Sequence, residues 1–184
     1  MGFATTPEDV LGFWFRPETK PKWFNGGAAF DAEVRAALGP ALEAAARGDL
    51  AAWEGDRDGA LALVLLFDQV PRNIFRGTPR AFAYDAEARR IARVVLERGW
   101  DLEVPVERRA FLYLPFEHSE NLADQELSVR LFRERTEDPE YVKYAEAHLD
   151  VIRRFGRFPH RNAALGRDSS GAEKAYLAQP GAGF

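Results

Sequence analysis

The longest apolar run in the chain is Ala60-Leu61-Ala62-Leu63-Val64-Leu65-Leu66-Phe67. Folded as a helix, this run places apolar side chains on every side, and such a helix lies inside a fold. A buried strand is the alternative interpretation, but Leu and Ala outnumber the β-branched residues. The run is also less than half of the roughly 20 apolar residues that span a bilayer. It therefore predicts a central helix and no membrane span.

The segments before the apolar run also favour helices. Thr6-Pro7-Glu8-Asp9 places a capping residue before a proline at the first helical position, with two acids in the first turn. Two Ala-rich segments follow at 30–38 and 41–47, and Gly39-Pro40 separates them. This region predicts one helix after Thr6 and two shorter ones.

The segments after the run continue the helical pattern. Asp85 is a candidate cap for a helix over 86–98, and Ser170-x-x-Glu173 is a capping-box pattern before a short last helix. The pattern predicts an all-α fold, a helical-hairpin bundle of about eight to ten helices. We expect one domain over residues 1–184, with a frayed tail at 179–184. One core is predicted from Trp14, Trp23, Leu61, Leu65, Phe67, Ile91, Val95, Leu127, Leu131, Ile152 and Phe155.

Composition restricts the class of protein. The 184 residues are 46% apolar with 14 Phe and 4 Trp, which is enough for a core and excludes disorder over the whole chain. The net charge of −4 disfavours a nucleic-acid or anionic-membrane binder. The absence of Cys excludes disulfides and thiolate chemistry. The first residues lack a basic start and an apolar segment, so we expect no signal peptide and a soluble, cytoplasmic protein.

Polar residues interrupt the expected core at Phe67–Arg76. Asp68 follows Val64 by four residues, so helical geometry directs it along a buried face, where an unpaired carboxylate is costly. Arg72 stands four residues later, at the spacing of a helical ion pair. Pro71 is expected to end or kink the helix, and Gln69 and Asn73 could then bond the freed carbonyls. These residues either hold a helix bend or bind a ligand.

A second polar segment runs from Tyr113 to Glu120. Glu117 and His118 are expected in a short break between helices, where they suit acid–base catalysis or a metal site. Ser119 can instead cap the next helix, with Glu120 in its first turn near the positive end of the helix dipole. That structural interpretation explains Ser119 and Glu120 and leaves Glu117 and His118 unexplained.

The third polar segment runs from Arg153 to Asn162. Gly156 is expected to end a helix, and arginines near a helix C-terminus are favoured by the dipole. His160, Arg161 and Asn162 come after that end, where this explanation does not apply.

These three segments, with Leu165-Gly166-Arg167 and the opening Val10–Phe15, resemble the bacterial family catalogued as domain of unknown function 924. Gly171 stands where the family pattern leads us to expect Pro. The resemblance covers nearly the whole chain and implies an all-α fold similar to tetratricopeptide-type helical hairpins. It implies no reaction.

Two functions follow from this interpretation, and the sequence does not decide between them. The first is an enzyme or binder acting on a small anionic molecule that carries phosphate or carboxylate. Its expected ligand-binding residues are Asp68, Gln69, Arg72, Asn73, Arg161 and Asn162, and its expected catalytic residues are Glu117, His118 and His160. The second is a peptide- or protein-interaction module whose polar segments are purely structural. No cofactor or metal is expected in either case.

Overall fold

The computed structural model describes residues 5–183, which form eight α-helices and no β-strand. The all-α prediction is therefore confirmed, whereas the similarity to tetratricopeptide hairpins stays a prediction. No helix in the described part of the chain combines the length and the apolar content needed to cross a membrane. The helices are α1 (Pro7–Trp14), α2 (Gly27–Ala46), α3 (Arg57–Ile74), α4 (Asp85–Glu97), α5 (Val106–Glu117), α6 (Leu122–Arg135), α7 (Pro139–Phe155) and α8 (Gly171–Leu177).

Helix α3 is the centre of the bundle. It packs against α1, α2, α4 and α5, and 15 of its 18 residues are buried. The side chain of Asp56 caps its first turn by accepting a hydrogen bond from the Gly59 amide. Pro71 does not end α3, which continues to Ile74. The apolar run thus forms the expected central helix, and the polar residues after it remain on that helix.

Two further helices continue through a proline. Helix α2 is a single helix of 20 residues that includes Gly39-Pro40, so the expected division at that point is wrong. Leu38 and Leu42 are buried on either side of Pro40, and this packing outweighs the loss of one helical hydrogen bond. Helix α5 likewise continues through Pro115. Glu117 is therefore the last residue of α5 and His118 its C-cap, rather than residues of a non-helical break.

The helix caps differ from expectation at two positions. Helix α6 is capped by Asn121, which accepts hydrogen bonds from two backbone amides, and not by Ser119. Tyr84 precedes α4 as its N-cap, so Asp85 is the first helical residue and its side chain is available for other contacts. The capping box from Ser170 to Glu173 is confirmed.

The apolar side chains form two clusters rather than one. The main core includes Trp14, Leu65, Phe111 and their neighbours, whereas Ile152 belongs to a smaller cluster against which Phe155 packs. The prediction of one core is wrong for these last two residues, because the C-terminal part of α7 packs against Tyr176 of α8 and the segment before it. The smaller cluster consists of Val151, Ile152, Phe158 and Tyr176.

The expected frayed tail, 179–184, is described as far as residue 183. Ala182 packs against the smaller cluster, and a Cβ placed on Gly183 would lie 3.0 Å from Cβ of His160. Residue 184 lies outside the described residues, as do residues 1–4, on which the expectation about a signal peptide partly depends.

Replacing Leu65 with Ala is expected to lower the free energy of unfolding by about 2–5 kcal/mol, because a completely buried side chain leaves a cavity in α3. Leu102→Ala is the matched control, since Leu102 is 55% exposed and its truncation is expected to change the free energy by less than about 0.5 kcal/mol. Urea unfolding of both variants measures the difference. Equal losses would show that α3 is not the central helix.

Candidate functional site

The three polar segments meet at one place in the fold. Asp68 and Arg72 project from the second half of α3, His118 ends α5, and Arg161 ends a 3-10 turn at Pro159–Arg161. Asp85 joins them from the first turn of α4. We call these five residues the polar cluster. The structure therefore brings together residues that are as far apart as positions 68 and 161 in the sequence.

Asp68 is the most deeply buried member of the polar cluster, with a completely inaccessible residue surface. Its Oδ1 lies 2.7 Å from Nδ1 of His118 and 3.3 Å from Nη1 of Arg72. The amide of Gln69 donates to Oδ2 at 2.7 Å. Burial by itself raises the pKa of Asp68, but attraction to His118 and Arg72 and these hydrogen bonds outweigh it and hold the pKa well below its ordinary value. Asp68 is thus a stably ionised carboxylate inside the fold.

Arg72 connects α3 to α4. Its Nη1 and Nη2 donate to the two carboxylate oxygens of Asp85 at 2.7 and 2.9 Å, a bidentate pair. Nη1 also donates to the backbone carbonyl of Asp68 at 2.7 Å. Most of the donor capacity of Arg72 is therefore used within the protein, and its main effect is to fix the positions of the two aspartates.

Arg161 is less completely paired than Arg72. Its Nη2 donates to the carbonyl of His118 at 2.9 Å, whereas the contact from Nη1 to Asp85 is long, at 3.5 Å. Its Nε is buried and has no hydrogen-bond partner within residues 5–183. The rings of Phe82 and Phe158 lie 4.7 and 4.5 Å from the guanidinium carbon. Burial, and then repulsion by Arg72, lowers the pKa of Arg161 to about 10, so its positive charge is poorly compensated.

His118 carries its proton on Nδ1. A carboxylate oxygen only accepts hydrogen bonds, so the 2.7 Å contact with Asp68 assigns the donor to Nδ1. Burial, and then repulsion by Arg72, lowers the pKa of His118 in spite of the attraction to Asp68. The neutral ring consequently keeps an unprotonated Nε2, the atom that accepts a proton in general base catalysis.

Glu117 lies beside His148, at the edge of the polar cluster. Its Oε1 is 3.4 Å from Nδ1 of His148, and its Oε2 is buried without a hydrogen-bond partner in the part of the chain that the structure describes. Burial, and then the charge of Asp68, raises the pKa of Glu117 to about 8. Burial lowers the pKa of His148 to about 3. At neutral pH the pair is therefore an uncharged carboxylic acid beside a neutral histidine.

The segment that carries His160 and Arg161 is held by a second ion pair. Arg167 makes a bidentate contact with Glu120 at 2.8 and 2.9 Å and donates to the carbonyl of Phe158 at 3.1 Å. Glu120 accepts from the backbone amide of Phe158 at 2.8 Å. Burial, and then Arg161, lowers the pKa of His160 to about 4. Glu120 thus fixes the segment and does not serve the first turn of α6 as expected.

Two predicted ligand-binding residues make structural contacts. Asn73 donates to the carbonyl of Gln69 one turn earlier in α3. Asn162 accepts from Arg167 and donates to Ser169. Their assignment as ligand-binding residues stays a prediction. Among the described residues, no group of three or more His, Asp and Glu side chains is arranged to hold a metal ion.

Sequence reasoning missed Asp85, Phe82 and Phe158. The prediction of Asp85 as a helix cap is wrong, because its side chain pairs with Arg72 instead. Phe82 lies in a segment with no helical period, and Phe158 lies in the third polar segment, where only the charged and polar residues are candidate site residues. The contacts of all three depend on how distant segments pack, and local sequence carries no signal for that.

The protein is thus an all-α bundle in which charged, largely buried residues lie where α3, α4 and α5 meet. The family model for a bacterial protein of unknown function (DUF924) matches residues 10–181, and the chain belongs to this family. A solved structure, that of the protein of unknown function ATU0120 from Agrobacterium tumefaciens, is 41% identical. It has a TM-score of 0.88, and the match covers 94% of this chain and 96% of that one. The comparison with curated proteins gave no match.

Replacing Asp68 with Asn is expected to lower the free energy of unfolding by about 2–4 kcal/mol, because the mostly buried Arg72 keeps only Asp85 as a counter-charge. The matched control is Asp150→Asn, whose surface pair with Arg154 is expected to contribute less than about 1 kcal/mol. Chemical unfolding at pH 7 measures both. Similar small losses in the two variants would contradict the importance of the buried pair.

Glu117→Gln is expected to change how stability depends on pH. The folded-state pKa of about 8 lies above the ordinary value of 4.5, so between these values only the folded protein keeps the proton. Wild-type stability therefore falls as pH rises from 4.5 to 8, relative to the variant. The buried histidines act in the opposite direction, and the comparison of wild type with variant cancels their contribution. Urea unfolding at pH 5, 6, 7 and 8 tests this, and parallel profiles would contradict it.

Proposed function

We propose that the protein binds a small anionic molecule at the polar cluster, with Arg161 as the residue that contacts the anion. The observation that carries this proposal is the incomplete pairing of a buried guanidinium. Two arginines share Asp85, which is closely paired to Arg72 and only distantly to Arg161. A bound anion would supply the hydrogen-bond acceptor that Nε of Arg161 lacks and a closer negative charge than Asp85 provides.

The ligand would reach Arg161 through the partly exposed side of the polar cluster. The side chains of Arg72, His118 and Asp85 are 18, 14 and 13% exposed, whereas that of Asp68 is 1% exposed. Arg72 then has a positioning role, because its donors already hold Asp68 and Asp85. Gln69 supports Asp68 in the same way.

Acid–base chemistry is a second part of the proposal. Asp68 orients His118, whose Nε2 would take up a proton when the anion binds. Glu117, with its pKa raised to about 8, would be the proton donor at neutral pH. Opposite shifts of neighbouring acids and bases are typical of sites that transfer protons. His160 would provide a second neutral imidazole.

A thermal-shift screen of phosphate- and carboxylate-bearing compounds tests anion binding. A ligand that binds only the folded protein stabilises it by mass action, by about 2.7 kcal/mol at 100 times its dissociation constant. We expect at least one anion to raise the melting temperature of the wild type. Arg161→Lys, which keeps the charge but removes the guanidinium geometry, is expected to abolish most of that increase.

Arg47→Lys is the matched control, because Arg47 follows α2 with a side chain that is 63% exposed. The control should respond to the anion as the wild type does. An anion that stabilises the wild type and Arg161→Lys equally would contradict the assignment to Arg161. A screen of both compound classes without any stabilising anion would contradict the proposed function.

One feature favours a second function, the binding of a peptide. A groove of about 420 Å³ runs between α6 and α7, lined by Val129 and Leu149 and by Arg130, Arg133 and Arg153. Glu126 and Glu134 also line it, so its rim carries one more positive than negative charge, and its apolar floor suits a peptide with acidic side chains. In that case Arg130→Glu would weaken binding of such a peptide, and Arg161→Lys would leave it unchanged.

A further inference from the structure

We infer, on the basis of the proposed function, that the anion is a small organic carboxylate with one negative charge. We also infer that its binding adds a proton to the Asp68–His118 pair. Three properties of the polar cluster lead to this ligand class: the number of donors left on Arg161, the charge already present, and the aromatic rings beside the guanidinium.

The donors left on Arg161 suit a carboxylate. An arginine offers five N–H donors, and the carbonyl of His118 and the carboxylate of Asp85 occupy one on each terminal nitrogen. Nε is without a partner in the described residues, and Nη2 beside it has a second hydrogen. This one edge matches the two oxygens of a carboxylate. Tight phosphate sites surround a larger anion with several donors, and most donors of Arg72 are already used.

The charges of the polar cluster disfavour a dianion. Two guanidiniums, those of Arg72 and Arg161, face two carboxylates, those of Asp68 and Asp85, so the formal charge is balanced before any ligand binds. A doubly charged phosphate or sulfate would bring an uncompensated double charge into a largely buried site, at a large cost in desolvation. A monoanion together with one proton leaves the balance unchanged.

His118 is the residue placed to take up that proton. An anion on the Nε–Nη2 edge of Arg161 would lie near residue 118, because Nη2 of Arg161 also donates to the backbone carbonyl of His118 at 2.9 Å. The added negative charge would oppose the effects of burial and of repulsion by Arg72, which together lower the pKa of the ring. Charged and titratable groups surround His118 on every neighbouring element. Asp68, Arg72 and Asp85 act on its ring directly. The others are Glu117 of α5, His148 of α7, and His160 and Arg161 of the 3-10 turn.

The aromatic rings indicate an organic ligand. Phe82 and Phe158 both contact the guanidinium of Arg161, and Phe158 is completely buried. Because Phe158 has no exposed surface, the partly exposed ring of Phe82 is the apolar surface that an anion on this edge would meet. A carboxylate with a short apolar substituent can use that surface, whereas an inorganic anion cannot.

The test compares acetate with sulfate and inorganic phosphate at matched ionic strength. Calorimetry in two buffers of different ionisation enthalpy measures proton uptake. The ¹⁵N signals of the imidazoles show which of the three histidines is protonated. We expect acetate to bind more tightly than sulfate and to shift His118 toward the imidazolium form. If one proton is taken up with each acetate, the association constant of acetate should rise by at most about tenfold when the pH is lowered from 8 to 7.

Variants separate this inference from other sources of pH dependence. Glu117→Gln removes the other group that titrates in this range, and the proton uptake with acetate should persist in it. Arg161→Lys should weaken acetate at least about tenfold, while Arg47→Lys should not. If Arg161→Lys does not fold, the wild-type comparison of acetate with sulfate still decides the ligand class.

The outcomes distinguish the inference from the proposed function. Phosphate or sulfate binding that depends on Arg161 and exceeds acetate binding would overturn the carboxylate class and leave the proposed function standing. Acetate binding without proton uptake, or with uptake at His148 or His160, would overturn the role of His118. Absence of binding by all three probes, together with a thermal-shift screen that finds no anion, would overturn both.

Discussion

The carboxylate of Asp68 is the constraint on which the rest of the site depends. It lies on the most buried helix of the bundle, where an ionised group is tolerated only if cations and hydrogen-bond donors surround it. Arg72 and His118 meet this requirement from α3 and α5. Arg72 in turn requires Asp85, and so α4 is joined to the same network. One buried charge thus determines how three helices meet.

The network also explains why Arg161 differs from Arg72. Arg72 contacts both Asp68 and Asp85 at short distance. Arg161, which the 3-10 turn brings to the same place, contacts only Asp85, at 3.5 Å. Natural folds satisfy nearly all buried polar groups, and a buried donor without a partner therefore needs an explanation. Sites that bind ligands are places where such incomplete satisfaction is functional, because the ligand supplies the missing partner.

The fold and part of the site could be predicted from local sequence. The apolar run before Asp68 identified the central helix, and the helical phase identified Asp68 as buried and Arg72 as its partner. These conclusions need only periodicity and the spacing of an ion pair. Residues such as Pro40, Pro71 and Pro115 misled the same reasoning, because tertiary packing on both sides of each proline keeps the helix intact. The meeting of Asp85 with Arg72 and Arg161 depends on contacts across 13 and 76 positions, which no local pattern encodes.

The division of the apolar side chains into two clusters has a consequence for motion. Phe158, which lies against Arg161, belongs to the smaller cluster, whereas Asp68 and His118 are anchored to helices of the main core. Small clusters separate from a protein at lower free energy than the whole fold unfolds, and hydrogen exchange detects such partial opening. The wall of the site formed by 158–177 is therefore its less stable half. We therefore expect backbone amides of this segment to exchange with solvent earlier than those of α3.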